Sequence, residues 1–429
     1  MSSRFLVGDA LTVVRTLPDA SVDLVATSPP FLALRDYSGL PGQWGQEPTP
    51  AAFLDHLLDL VAELRRVLAP LGSIAVELGD TYSGSGGAGG DYADGGMRDG
   101  QPVFDGSASR TRPDGNGKVF RGGKRGPDKL GAGWPLPKSL CGTPTLFAWS
   151  LVYGRNLLGG LEFEPWLVRN VIVWARNNPP VGALGDKVRP ATSYITVACP
   201  SPKRWFDLDA VRRPHARDYS RERVGGDTEF NRNGQVDNHT RTIHADPAGS
   251  PPLDHWHDEI DGDLLWLINT QGSSLSHYAM WPPTLAERLI LMMCPAEVCR
   301  TCNEPRRRMV ARDTGALAAN ARKRGPTGAD NRASGGSFYN AAHFHSPRTS
   351  TIGWSDCGHD DYRPGVVLDP FCGTGTSLAV AEVHGRDSIG IDLDPANEQL
   401  LGPRRDQVRK ALLSVEPEVP GQLSLEVAP

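Results

Sequence analysis

No apolar run approaches the roughly 18 residues of a membrane-spanning helix, so none is expected. The opening residues Met1–Asp9 lack the apolar stretch of a secretory signal, which predicts a cytoplasmic protein. Surplus charge is small. A net charge of -5 excludes a uniformly cationic nucleic-acid binder but leaves room for local basic patches. Cysteine is scarce and odd in number, at seven, and Cys299 and Cys302 form a Cys-x-x-Cys pair. Without an export signal, that pattern favours reduced thiols or a metal over a disulfide framework. The 48 glycines and 36 prolines are about a fifth of the 429 residues, below the roughly 25–30% of a low-complexity chain but enough for long loops. What is present in quantity is core material, at 39% hydrophobic and 22% charged residues.

Three short apolar runs open the chain: Arg4–Val7, Val22–Thr27 and Ser73–Leu78. Each has strand length and ends at polar or Pro/Gly punctuation. A helix is predicted between the last two. Thr49 caps it, Pro50 suits its first position, and Leu54, Leu57, Leu58, Val61, Leu64 and Leu68 recur at helical spacing. Further strands are predicted at Leu167–Trp174 and Tyr194–Ala198, and a helix after Pro282 and Pro283. Strands joined by helical crossovers predict an α/β sheet. The stretches 83–130, 207–262 and 311–350 show little periodicity and read as inserts or loops.

The C-terminal end carries a nucleotide-binding pattern. A strand, Val366-Val367-Leu368, runs into Asp369-Pro-Phe-Cys-Gly-Thr-Gly-Thr376, then a helix over Leu378–Val383, then a strand Ser388–Ile391 ending at Asp392. Glycines let the backbone approach a ligand, and a helix N-terminus offers free N–H groups. An acid some 20 residues beyond such a loop accepts ribose hydroxyls, and Asp392 lies 23 residues after Asp369. The third glycine of a dinucleotide fingerprint is missing. Only 37 residues follow Asp392, too few to finish a doubly wound sheet, so the N-terminal segment must supply the remaining strands.

The run Val22–Thr27 stops at Ser28-Pro29-Pro30-Phe31, where proline forces the chain out at the sheet edge. A serine hydroxyl and the Pro29 carbonyl are two acceptors on a rigid turn, with an aromatic ring beside them. That set fits the exocyclic amine of an extruded nucleobase. Other Pro-Pro pairs, at Ser250-Pro251-Pro252 and Asn178-Pro179-Pro180, lack the following aromatic.

With these residues in place the chain resembles the amino-group (N4-cytosine/N6-adenine) DNA methyltransferases, in the permuted order with the catalytic motif first. The likeness runs through Gly8-Asp9-Ala10-Leu11, Thr27–Phe31, Arg65–Ser73, Val168–Trp174, His277-Tyr-Ala-Met-Trp-Pro-Pro283 and Asp369–Thr376. It implies a Rossmann-like, circularly permuted methyltransferase sheet with irregular insertions. It implies S-adenosylmethionine as cofactor, bound by Asp9, His277, Trp281, Asp369, Phe371, Gly373, Gly375, Thr376 and Asp392. It implies Ser28, Pro29, Pro30 and Phe31 as the catalytic turn. Ser28 in the Ser-Pro-Pro-aromatic form favours cytosine N4 in double-stranded DNA. N6-adenine methylation and a DNA-binding protein with an inactive methylase fold are the alternatives. A cognate restriction endonuclease is an implied partner. No cysteine stands in the Pro-Cys context of ring-carbon cytosine methylases.

The resulting division is 1–82 and 141–206 for the catalytic half, 83–140 for a flexible Gly-rich insert, 207–270 for target recognition and 271–298 for a cofactor-pocket helix. Residues 299–360 are read as a zinc-clipped insert and 361–429 as the cofactor half. Arg212, Arg213, Arg217, Arg221, Arg223, Arg232 and Arg241 are candidates for phosphate or guanine contacts. Cys299, Cys302, Cys357 and His359 are two close ligand pairs, the usual way a tetrahedral structural zinc is assembled. The 54 residues between the pairs read as loop, and Arg300 and Arg306–Arg308 are placed to favour thiolates.

Overall fold

The computed structural model describes residues 2–34, 40–84, 131–176, 188, 190–212, 221–223, 241–243, 255–256, 281–312 and 349–413. Most of the stretches 83–130, 207–262 and 311–350 lie outside the described residues.

The chain opens with β1 (Ser3–Val7), the short helix α1 (Ala10–Val14) and β2 (Val22–Thr27). Every residue of β2 is buried, as a central parallel strand covered on both faces must be. Helix α2 (Pro50–Val67) starts where the sequence predicts. The Thr49 hydroxyl accepts from the Ala52 N–H, and Pro50 gives up no bond in the first turn, where its missing N–H has no partner. Its buried face carries Phe53, Leu54, Leu57, Leu58, Val61 and Leu64. Strand β3 (Leu68–Leu78) begins five residues before the predicted Ser73, directly from the end of α2. A register shift between Val22 and Leu24 absorbs the Ala69–Gly72 excursion.

Helix α3 (Thr143–Tyr153) was not legible as a helix in the sequence. Its residues are apolar nearly all round, so no amphipathic period marks it. The Asp80 carboxylate caps it by accepting from the Gly142 and Thr143 N–H groups, at 2.9 and 3.3 Å. Strands β4 (Leu167–Ala175) and β5 (Thr192–Cys199) follow, then β6 (Arg221–Arg223), β7 (Arg241–Ile243) and β8 (His255–Trp256). Helix α4 (Pro283–Met293) precedes β9 (Glu297–Cys299), β10 (Arg308–Arg312), β11 (Thr349–Trp354) and β12 (Tyr362–Pro364). The chain closes with β13 (Val366–Asp369), α5 (Thr376–Val383), β14 (Asp387–Asp392) and α6 (Leu401–Leu413), the last entered through a 3-10 turn at Pro395–Leu400 that Asp394 caps.

The main sheet runs β1-β14-β13-β2-β3-β5-β4-β8. Strands β1, β14, β13, β2 and β3 are parallel, and β5 is antiparallel to both β3 and β4. The two-residue β8 extends the edge beside β4. The pair β13 and β14 lies between β1 and β2. Helices α1, α2 and α3 pack in one group and α4, α5 and α6 in another. No described helix is long and apolar enough to cross a membrane.

The chain divides into two compact units. The first is 1–206, 253–305 and 358–414, and it contains the whole sheet. The second is 207–252, 306–357 and 415–429. Two antiparallel pairs, β6–β7 and β10–β11, belong to it, and the Arg308 guanidinium meets Asp207 at 2.6 Å. The loop reading of 303–356 is thus corrected at its ends. The β10–β11 ladder pairs residues about 40 positions apart, and such pairing leaves no local period to detect.

Candidate active site

Because β1, β14, β13, β2 and β3 are parallel, their carboxyl ends meet at one edge of the sheet, where ligands of open α/β sheets bind. The segments leaving that edge are Gly8–Asp9, Ser28–Phe31, Gly79–Asp80, Phe371–Thr376 and the turn after Asp392. They hold most of the predicted site residues.

On the β2 side, Pro29 and Pro30 end the strand and turn the chain outward. The Ser28 hydroxyl donates to Glu77 Oε2 at 2.5 Å. Glu77 lies one residue beyond Val76, the β3 partner of Thr27, so sheet register alone brings it beside Ser28. Its carboxylate is buried and well served. The Trp281 indole N–H donates to Oε2 at 3.0 Å, and Arg176 Nη2 reaches Oε1 at 3.5 Å. Arg176 also donates to the Ser193 hydroxyl at 2.8 Å and lies over the Trp174 ring at 4.5 Å. Phe31 is half-buried. A Cβ at Gly79 would stand 2.5 Å from its ring, so only glycine lets the ring lie against the backbone there.

On the β13 side, Asp369 is buried and tied three ways. Its carboxylate accepts from the Thr27 hydroxyl at 2.7 Å, the Phe371 N–H at 3.1 Å and the Ser377 hydroxyl. Burial pushes its pKa up to about 6, against the lowering effect of those three bonds, and Asp392 adds to the rise. Asp369 thereby joins β13 to β2, the strand that leads into Ser28. Gly373 and Gly375 both take left-handed φ values, +51° and +80°, and a Cβ on Gly375 would meet Leu401 at 2.4 Å. Asp392 accepts from the Gly373 N–H at 2.9 Å, the Asp394 N–H at 2.8 Å and Asn397 Nδ2 at 3.0 Å.

Asp9 is the N-cap of α1. Its carboxylate accepts from the Thr12 N–H and hydroxyl and, at 2.9 Å, from Trp44 Nε1. Burial works to raise its pKa, but these bonds and the nearby His56 prevail and hold it below the usual range. Trp44 meets Phe371 edge-on at 5.1 Å and lies 5.5 Å from His56. The Thr376 hydroxyl accepts from the buried Arg404 at 2.9 Å, and Arg404 also donates to the Trp281 carbonyl at 2.9 Å. Trp281 consequently bridges the two sides, its indole on Glu77 and its carbonyl on the Arg404–Thr376 pair.

His277 lies outside the described residues, as do Arg213, Arg217 and Arg232. Arg212 pairs with Asp209 at 2.6 Å, a contact within its own turn. Cys299, Cys302, Cys357 and His359 come together, their ligand atoms all within 4.8 Å of one another. Four residues of the active edge escaped the sequence reading: Glu77, Arg176, Trp44 and Arg404. Glu77 left one signal, an acid within the apolar run Ile74-Ala-Val-Glu-Leu78. Trp44 and Arg404 left none, because only long-range packing brings them to the edge.

Comparison with known proteins places this geometry in context. A family model described as DNA methylase matches residues 22–297 and 362–401. The chain is similar to the Type II methyltransferase M.Cfr9I of Citrobacter freundii, with 31% identity over 205 residues, 48% of this chain and 57% of that one. It is similar to the Type II methyltransferase M.SmaI of Serratia marcescens, 25% identical over 290 residues, 68% of this chain and 75% of that one. A shorter likeness, 35% over 69 residues, covers 16% of this chain and 22% of the DNA adenine methyltransferase YhdJ of Escherichia coli. Among solved structures, a PvuII DNA methyltransferase described as cytosine-N4-specific aligns with a TM-score of 0.45 and 12% identity, covering 96% of this chain and 91% of that one. The matched region spans 57% of the length of M.Cfr9I.

Proposed function

Since the chain belongs to the N6/N4 DNA methylase family, we propose that it transfers a methyl group from S-adenosylmethionine to the exocyclic amine of a flipped base in double-stranded DNA, cytosine N4 before adenine N6. The observation that carries this reading is the Ser28–Glu77 bond at the same sheet edge as the Gly373–Gly375 turn.

The residues at that edge fit the cofactor. The loop after β13 presents backbone without side chains at two positions. The Asp392 carboxylate accepts three named donors, and a carboxylate takes about four, which leaves capacity for a ribose hydroxyl. S-adenosylmethionine, when bound, supplies an electrophilic sulfonium methyl. Gly373, Gly375 and Thr376 would face its amino-acid end, Asp392 its ribose, and Asp9 with Phe371 its adenine.

The chain's own part is to orient the amine. Ser28 gives its hydroxyl proton to Glu77, so its oxygen lone pairs point outward to accept an amine N–H. The Pro29 carbonyl accepts the second N–H, and Phe31 offers a face for the extruded base. Two acceptors fix the direction of the nitrogen lone pair, and alignment of this kind can remove up to about 7–11 kcal/mol of a transfer barrier. The amine proton has a route through Ser28 to the Glu77 carboxylate. Target choice falls to the Arg-rich stretch 207–262, with pairing to a restriction endonuclease as its biological setting.

The decisive experiment incubates DNA with the protein and methyl-labelled S-adenosylmethionine, then identifies the labelled nucleoside. N4-methylcytosine is the expected product. N6-methyladenine overturns the base assignment alone, and unlabelled DNA with cofactor bound overturns the catalytic reading.

A further inference from the structure

We propose that Cys299, Cys302, Cys357 and His359 bind one structural zinc ion. The site is independent of the methyl-transfer reading and touches none of its groups by role.

Four soft or borderline ligands within 4.8 Å of one another are an unusual concentration for a chain with only seven cysteines. The distances suit a tetrahedral ion. Zinc–sulfur bonds of roughly 2.3 Å and zinc–nitrogen bonds of roughly 2.0–2.1 Å put the sulfur–nitrogen edge of a tetrahedron at about 3.6 Å. Cys299 Sγ and His359 Nδ1 stand 3.6 Å apart. Cys357 is joined to His359 through the single residue Gly358, which takes a left-handed φ of +80°.

The backbone around the first pair is built to hold a thiolate. The chain reverses tightly after Cys299, whose N–H donates to the Glu304 carbonyl at 3.0 Å and whose carbonyl accepts from the Asn303 N–H at 3.0 Å. Asn303 closes the reversal in the left-handed region, at φ +58°. This turn aims the Cys302 N–H at Cys299 Sγ, at 3.5 Å. A backbone N–H directed at sulfur stabilises the anion over the thiol and orients it for metal. Cys299 itself is buried, while the other three ligands reach solvent, so an ion can enter from outside.

The location gives the ion a task. Cys299 ends β9, and β9 pairs antiparallel with β12, Cys299 opposite Tyr362 and Val298 opposite Arg363. Strand β12 leads within two residues into β13, the strand that carries Asp369 and the glycine turn. Arg363 holds Asp23 of β2 through two bonds, at 2.6 and 3.1 Å. A zinc at the outer end of this two-stranded ladder pins both ends of the 303–356 excursion and fixes the approach to the cofactor strand. Three thiol protons leave on binding, so uptake weakens as pH falls.

Full-length protein purified without chelators should contain about one zinc per chain. Cobalt substitution should give the visible absorption of tetrahedral cobalt–thiolate, and chelation should lower Tm. Separate Cys302→Ser and His359→Gln variants should each lose most of the metal. Should a variant fail to fold, the cobalt spectrum and the chelator-induced Tm shift of the wild-type chain still decide. Protein that is metal-free as isolated and gains neither zinc nor Tm on zinc addition overturns the proposal. So does a Cys299–Cys302 disulfide in protein kept reduced, or zinc retained in both variants.

Discussion

A carboxylate near the end of a buried strand is unfavourable unless bonds replace the water it has lost. Glu77 meets that condition with Ser28, Trp281 and Arg176, and the first of these has a place in the proposed chemistry. Ser28→Ala removes one amine acceptor. Its turnover should fall about 10²–10³-fold, the usual effect of deleting one oriented polar group at a reacting centre. S-adenosylmethionine affinity, measured by titration calorimetry, should stay within a few-fold. Wild-type turnover in Ser28→Ala would remove Ser28 from the mechanism. Phe31→Ala should weaken capture of the flipped base by about 1–3 kcal/mol, seen as a raised KM for DNA. Asp369 permits a separate test on stability. Its pKa of about 6 in the folded chain exceeds the ordinary aspartate value of 3.8. The folded state therefore holds this proton more tightly than the unfolded state. The contribution to stability is full below about pH 4 and is lost as pH rises through about 6. Relative to Asp369→Asn, the wild type should lose stability between pH 4 and 6, by at most about 3 kcal/mol, and run parallel above it. Urea unfolding at a series of pH values measures the difference. A difference that is constant from pH 4 to 8 shows that the carboxyl is not raised.

At the scale of elements, legibility followed locality. Strand β2, the Thr49–Pro50 start of α2 and the turn from β13 into α5 each depend on residues close in sequence, and each stands where the sequence predicts. Helix α3 did not show, because a helix that is apolar nearly all round has no stripe. The β10–β11 ladder did not show, because its partners are separated by a long excursion. The Ser28–Glu77 contact joins residues 49 apart and exists only through the parallel register of β2 with β3. The Cys-x-x-Cys and Cys-x-His pairs were legible as pairs, while their meeting required β9 to find β12. Among its described residues, the polar stretch 207–262 reaches the sheet only at the two-residue edge strand β8. Replacing 207–262 by the corresponding stretch of a relative with a different target should abolish methylation at the original site and leave S-adenosylmethionine affinity within a few-fold. Loss of cofactor binding in that chimera would assign the stretch to the cofactor pocket instead.

For the whole molecule, the order of strands in space differs from their order along the chain. The strands that lie between β1 and β2, β13 and β14, follow every other strand of the sheet along the chain. Until residue 366 leaves the ribosome, β1 and β2 have no neighbour on their facing sides, and β2 is apolar at four of its six positions. An unpaired apolar strand edge is a template for other chains. Pairings between distant parts of a chain also form slowly, since the intervening loop must close first. The nascent protein thus carries an open seam until β13 and β14 emerge. Chains truncated before Val366 should collect in the insoluble fraction. Supplying residues 358–414 as a separate fragment during expression should return them to solution, whereas truncated chains that stay soluble and monomeric alone would show that the N-terminal strands seal the seam without help.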